Sequence, residues 1–288
     1  PLTIKRRIPY LPAPLPQTFW DTEISESELR KKANQHHIAV TLLFYASDVR
    51  HLTVAPSLFP LASLMRTKVG IAVPIDAYEY IPEWMDDIYI PYASGGSMPY
   101  IEPMIGSAGL GVATEAEGYL SEQTLKESLI QTRNKILNQW GEGFIPIGYY
   151  PFQDACPFYQ HNTGEPQFEA ISSSGFQYCI TYKDEGKFPQ IIYEKNDFIA
   201  INQQNVHWTK KPLTMLKKWE KRLLKNEEPG WIIISLDAPF WGWMYYEMEN
   251  GKKLIDTMNF ITQGGTSGKL FTATPHEITR YAKMIKEL

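Results

Sequence analysis

A chain of 288 residues lies near the upper size for one hydrophobic core and buries roughly three quarters of the surface its unfolded form exposes. Hydrophobic residues at 43% and charged residues at 21% are ordinary globular values, which excludes a disordered, collagenous or coiled-coil chain. With 28 basic and 32 acidic residues the formal charge is −4, so no basic surplus exists to neutralise a nucleic-acid backbone or hold the chain on anionic lipid.

The chain opens with five prolines in its first sixteen residues and no recognisable signal peptide. Residues 1–24 therefore read as an extended strap or linker, with an upstream domain or anchor expected before it and one α/β domain over 25–288. Ser25 and Glu28 have capping-box spacing ahead of a helix to about Gln35. Ile38 to Tyr45 is a continuous apolar run, the mark of a strand covered on both faces. A helix over 57–66 leads to a second such run, Val69 to Ile75, and shorter strands are expected at 88–92 and 110–114. A long helix opens at Ser121 and carries Leu125, Leu129, Ile136, Leu137 and Trp140 at helical spacing. Strands at 144–149, 176–182, 198–202 and 231–237 then alternate with helices at 168–174 and 213–224. Thr274-Pro-His-Glu277 announces the last helix with an N-cap, a first-turn proline and an acid three residues on. No apolar run spans a membrane. Seven or eight short strands with intervening helices indicate an α/β barrel or a large open α/β sheet.

In parallel α/β folds the loops after the strands converge on one face. Asp48, Asp76, Glu115, Asp154 and Asp237 each fall at or just past an expected strand end, although acids also gather there to cap the next helix. His36 and His37 precede the first strand and belong to the opposite rim.

One stretch has a recognisable order. Gly111-Val-Ala-Thr-Glu115 leads through Gly118-Tyr-Leu-Ser121 into a helix; Gly148-Tyr-Tyr-Pro-Phe152 follows, and Ser174-Gly-Phe-Gln-Tyr178 precedes a strand. From about Ile38 to Leu288 the chain resembles the NodB-type polysaccharide deacetylases of the glycoside hydrolase/deacetylase superfamily. That resemblance implies a distorted (β/α)7 or (β/α)8 barrel acting on polysaccharide, and with the Pro-rich start it points to the cell envelope or exterior. The family binds a divalent metal, usually zinc, through an Asp-His-His site. Here the first-strand aspartate corresponds to Asp48, while Glu115 and the neighbourhood of Tyr119 stand where the family has its two histidines. Tyr149 or Tyr150 replaces the groove arginine, and Asp237 replaces the closing histidine. Zinc prefers nitrogen and sulfur ligands, so the reading expects no zinc and no other cofactor.

Carboxylates alone suffice for glycosidic cleavage, one protonating the leaving oxygen and another acting as nucleophile or activating water. The expected acids are Asp48, Glu115, Asp154 and Asp237. Expected sugar contacts are His51, Tyr149, Tyr150, Gln153, Trp208, Trp241 and Trp243, because aromatic faces stack on sugar C–H faces while polar tips meet hydroxyls. The bland alternatives are a solvated ion pair for Asp48 with Arg50, core packing for the tryptophans, and a Pro-fixed turn at 148–154. The amides of 202–205 either read sugar hydroxyls or satisfy their own backbone. Gly264-Gly-Thr-Ser-Gly268 lacks a phosphate-loop ending and reads as a flexible connection. The lysines of 217–222 suit a solvated helix face. Cys156 and Cys179 either bridge or stay buried thiols. Two rival functions stay open: a deacetylase with an all-oxygen site for Mg²⁺ or Mn²⁺, and an inactive glycan-binding module in polysaccharide assembly or export.

Overall fold

The computed structural model describes residues 23–45, 61–74, 100–106, 122–140, 146–150, 168–181, 189–204, 211–237 and 248–288. In chain order the elements are α1 (Glu26–Asn34), β1 (Ile38–Tyr45), β2 (Val69–Pro74), β3 (Ile101–Gly106), α2 (Glu122–Trp140), β4 (Gly148–Tyr150), α3 (Phe168–Ser173), β5 (Tyr178–Thr181), β6 (Ile191–Lys195), β7 (Phe198–Asn202), α4 (Pro212–Asn226), β8 (Gly230–Asp237), α5 (Met248–Thr262), β9 (Leu270–Thr272) and α6 (Pro275–Lys286). They form one nine-stranded sheet of order β6-β7-β5-β4-β3-β2-β1-β8, with β9 also on β1. Every pairing is parallel except β6 with β7. The expected strands at 88–92 and 110–114 lie outside the described residues.

Strand alternation divides the core in two. Ile38, Val40, Leu42 and Phe44 of β1 share one face with Ile71, Ile105, Tyr149, Ala200 and Ile234, and α2, α3, α4 and α5 cover it. Ala39, Leu43 and Tyr45 share the other face with Ala72, Met104, Tyr150, Tyr178, Ile201 and Ile233, against which α1 and α6 pack. Both faces are covered, which is why the strands read as unbroken apolar runs. Leu137, assigned to the apolar stripe of α2 by spacing, is 42% exposed instead.

Helix α6 seals the second face at the strand-start end. Thr274 and Glu277 complete the expected capping box, and the Tyr281 hydroxyl donates to His37 O at 2.7 Å. Pro275 lies so close to β2 that a Cβ at Gly70 would stand 2.5 Å from its Cγ, so this close approach requires glycine. The start of the described chain is docked here as well: Arg280 donates to Glu23 at 2.8 Å, and the Ile24 N–H donates to Glu277 at 2.7 Å.

The glycine-rich turn between α5 and β9 departs from expectation. It is tied to Glu220, a buried acid of α4 that accepts from the N–H and hydroxyl groups of Thr266 and Ser267 at 2.9 to 3.2 Å. Gly264, Gly265 and Gly268 all have positive φ, the backbone this wrap demands. The lysines of α4 do face solvent, with Lys217 and Lys218 exposed.

Candidate active site

Seven of the parallel strands end on one rim, at Tyr45, Pro74, Gly106, Tyr150, Thr181, Asn202 and Asp237, while the short β9 ends level with Val40. β1 and β8 pair along their whole length, Ile38 opposite Gly230 through Tyr45 opposite Asp237. The end of β8 therefore stands one strand spacing, about 4.8 Å, from the end of β1. Asp48 follows Tyr45 by three residues in sequence. Asp48, His51, Glu115, Gln153, Asp154, Trp208, Trp241 and Trp243 lie outside the described residues.

The two tyrosines of β4 are separated by strand alternation. Tyr149 faces the side covered by α2, α3, α4 and α5, its ring 5.7 Å from that of Phe176. Tyr150 faces the side shared by Tyr45, with ring centroids 6.0 Å apart, and is 1% exposed.

Beneath the rim, Tyr150 takes part in a closed ring of hydrogen bonds. The Gln203 amide donates to the Tyr150 hydroxyl at 3.0 Å, and the Ser235 hydroxyl donates to the Gln203 carbonyl. Ser235 thus commits its proton, so the Tyr150 hydroxyl donates to Ser235 Oγ across 2.9 Å. The three residues come from the end of β4, the residue after β7, and β8, and all are buried. Sequence reasoning passed over Ser235 and Tyr45. The signal for Ser235 was its position two residues before Asp237 in the same strand.

The neighbouring amides complete the fold. Asn202 accepts from the Gln190 N–H at 2.8 Å. Gln204 donates to Trp231 O at 2.8 Å and accepts from the Ile233 N–H at 2.6 Å. Its side chain thereby supplies to β8 the two bonds that a neighbouring strand's backbone would supply. With the Trp231 indole on Asn202 O at 3.0 Å, it links the end of β7 to β8. In the described part of the amide run, Asn202 and Gln204 bond to backbone groups, whereas Gln203 bonds to the side chains of Tyr150 and Ser235.

No described strand ends in histidine or cysteine, and among the described residues no three His, Cys, Asp or Glu side chains gather to hold a metal ion.

A second polar cluster lies at the opposite end, near the strand starts. Glu102 of β3 accepts from the Tyr178 hydroxyl and from the His276 N–H, the latter at 2.7 Å. Burial is the main cause that pushes the Glu102 carboxyl up to about 7, against the pull of His276 and the bond from Tyr178. Burial also raises the Tyr178 phenol, with the adjacent Glu102 adding to the effect. On the same rim a groove of about 870 Å³ runs between the ends of α1 and α6 and the start of β8, lined by Ile191, Trp231 and Ile285. Its place among strand starts separates it from the rim that bears Asp237.

No protein-family model matches the chain, and no curated protein matches its sequence. Solved structures do share its shape. A 4-alpha-glucanotransferase from Thermococcus litoralis is similar with a TM-score of 0.54 at 11% identity, over 86% of this chain and 40% of that one. A Parabacteroides distasonis protein assigned to the glycoside hydrolase/deacetylases gives a TM-score of 0.50 at 10% identity, over 86% of this chain and 72% of the other. The chain thus spans less than half the length of the glucanotransferase. At such identities the likeness is one of fold, and the fold is the expected one: a distorted, NodB-like α/β barrel, of a kind found in carbohydrate-active and deacetylase-like proteins.

Proposed function

We propose that this protein hydrolyses a glycosidic bond in a polysaccharide or oligosaccharide, using paired carboxylates at the strand-end rim. The observation that carries the reading is the register that sets Asp237 opposite Tyr45, three residues short of Asp48. Two carboxyls brought into one pocket repel each other, which raises one pKa and keeps that group protonated as the acid while the other stays ionised. Glu115 and Asp154 are the further acids of this reading. His51, Gln153, Trp208, Trp241 and Trp243 are its sugar contacts; Tyr149 and Tyr150, expected beside them, are each buried at 1% exposure. An envelope or extracellular setting completes it.

The test is the release of reducing ends from amylose, xylan, cellulose and glycol chitin by the wild-type chain and by Asp48→Asn and Asp237→Asn. Loss of on the order of a hundredfold or more in turnover is expected from either substitution. Wild-type turnover by both variants overturns the pairing. The shape shared with a glycoside hydrolase/deacetylase favours deacetylation as the second reading. Release of acetate that depends on added Mg²⁺ or Mn²⁺ would establish it, and glycan binding with neither product identifies a binding module.

A further inference from the structure

Among the described contacts, the tip of β8 is held from two directions. On one side the ladder to β1 runs to its last pair, Tyr45 with Asp237. On the interior side, Gln204 engages the backbone at Trp231 and Ile233, and the next inward-facing residue, Ser235, is gripped by Gln203 and Tyr150. Asp237 follows Ser235 by two residues, about 7 Å along the strand.

We propose that Tyr150, Gln203 and Ser235 are positioning residues for Asp237, fixing the tip of β8 through their closed ring of hydrogen bonds. The ring is buried, with Tyr150 at 1% and Ser235 at 0% exposure, so it acts from beneath the rim. Each member donates once and accepts once around it, and a satisfied buried network of this kind specifies one arrangement, because a partly broken one leaves polar atoms dry and unpaired. Tyr150 reaches Ser235 from β4, which is not a neighbour of β8 in the sheet, so the restraint acts across the interior. Displacing a catalytic carboxyl by a fraction of an ångström lowers the rate while leaving substrate affinity almost intact.

The inference rests on the reading of Asp237 as one of the acids, and the experiment separates the two. Kinetics on whichever of the four polysaccharides the wild-type chain cleaves are measured for Tyr150→Phe, Ser235→Ala, Gln203→Met and Asp237→Asn, and for each ring variant combined with Asp237→Asn. Each ring variant is expected to lower kcat by about tenfold or more with KM within about twofold, and to cost nothing further in the Asp237→Asn background. Tyr150→Phe and Ser235→Ala each delete a single oxygen, and they decide the matter should Gln203→Met fail to fold. Wild-type kcat in those two, with Asp237→Asn impaired, overturns the positioning role alone. A ring effect that persists undiminished in the Asp237→Asn background also overturns it. Unimpaired Asp237→Asn, or no cleavage by the wild-type chain, overturns the acid reading and this inference with it.

Discussion

The backbone N–H of His276, in the first turn of α6, donates to the Glu102 carboxyl at 2.7 Å in the interior of the sheet. One acid thereby joins β3 to the helix that seals the strand-start end, while Tyr178 of β5 donates to its other oxygen. The His276 ring stacks on Tyr178, with centroids 5.9 Å apart, and its Nδ1 meets Glu23. Arg280 braces Glu23 in turn, so the N-terminal segment, α6 and two strands share one polar junction.

That junction gives stability a definite pH dependence. Glu102 titrates near 7 in the folded chain against an ordinary 4.5, so between these values the folded state binds more protons than the unfolded state. Stability from this group is present in full below pH 4.5 and is lost as pH rises through about 7, a loss on the order of 3 kcal/mol at 1.4 kcal/mol per pH unit. Glu102→Gln keeps an acceptor for His276 and a donor for the Tyr178 oxygen. Urea unfolding at pH 5, 6, 7 and 8 should show the variant gaining on wild type as pH rises. Parallel curves for the two proteins would remove Glu102 as the cause.

Close packing against β4 predicts a sharp contrast between two glycines. A Cβ at Gly148 would stand 2.2 Å from the Tyr178 ring, whereas one at Gly106 meets nothing nearer than 3.5 Å. Gly148→Ala must push Tyr178 off Glu102 and should cost at least about 3 kcal/mol, the scale of severe overpacking. Gly106→Ala should change stability by less than about 1 kcal/mol. Thermal midpoints of the two variants, measured side by side, check the ranking, and equal shifts would contradict it.

Much of the sheet was legible because burial on both faces turns a strand into an apolar run, as in β1 and β8. α6 was legible to the residue at its start, because Thr274, Pro275 and Glu277 each do one physical job there. β3 was missed, since Glu102 and Pro103 interrupt its apolar positions and Glu102 is buried only by virtue of partners remote in sequence. β6 was missed because it is a half-exposed strand that turns back on β7 through Asn196, whose positive φ has no glycine to announce it. β9 has three residues, too few for any period to register. At the rim, the neighbouring ends of β1 and β8 followed from the barrel expectation. The ring beneath them did not, because a serine and an amide carry no charge and meet only after the sheet curls.

The wrap of the glycine-rich turn around Glu220 predicts a destabilised loop in Glu220→Ala. Glu220 is 2% exposed, and its oxygens receive all four bonds from Thr266 and Ser267, at 2.9 to 3.2 Å. Removing them should cost roughly 2 to 3 kcal/mol, the scale for a charged acceptor in hydrogen bonds. It should also make 264–268 the first site of limited proteolysis, because its three glycines leave the backbone permissive once the bonds to Glu220 are gone. Urea unfolding together with mapping of the first cut provides the check, and an unchanged cutting pattern would show that the turn holds itself.

Gln204 carries two of the bonds that join the end of β7 to the backbone of β8, and this makes it a sensitive position. Gln204→Leu keeps similar bulk but deletes the donor to Trp231 O and the acceptor for the Ile233 N–H, leaving two backbone groups of a core strand without that partner. A loss of about 2 to 4 kcal/mol is expected from two such groups. Backbone exchange should rise at Ile233 and leave the β1–β2 ladder unchanged, because that ladder has its own parallel pairing from Leu42 to Tyr45. Amide hydrogen exchange on the wild-type chain and Gln204→Leu distinguishes this local opening from a uniform loss of protection, which would mean that the amide stabilises the whole barrel instead of its seam.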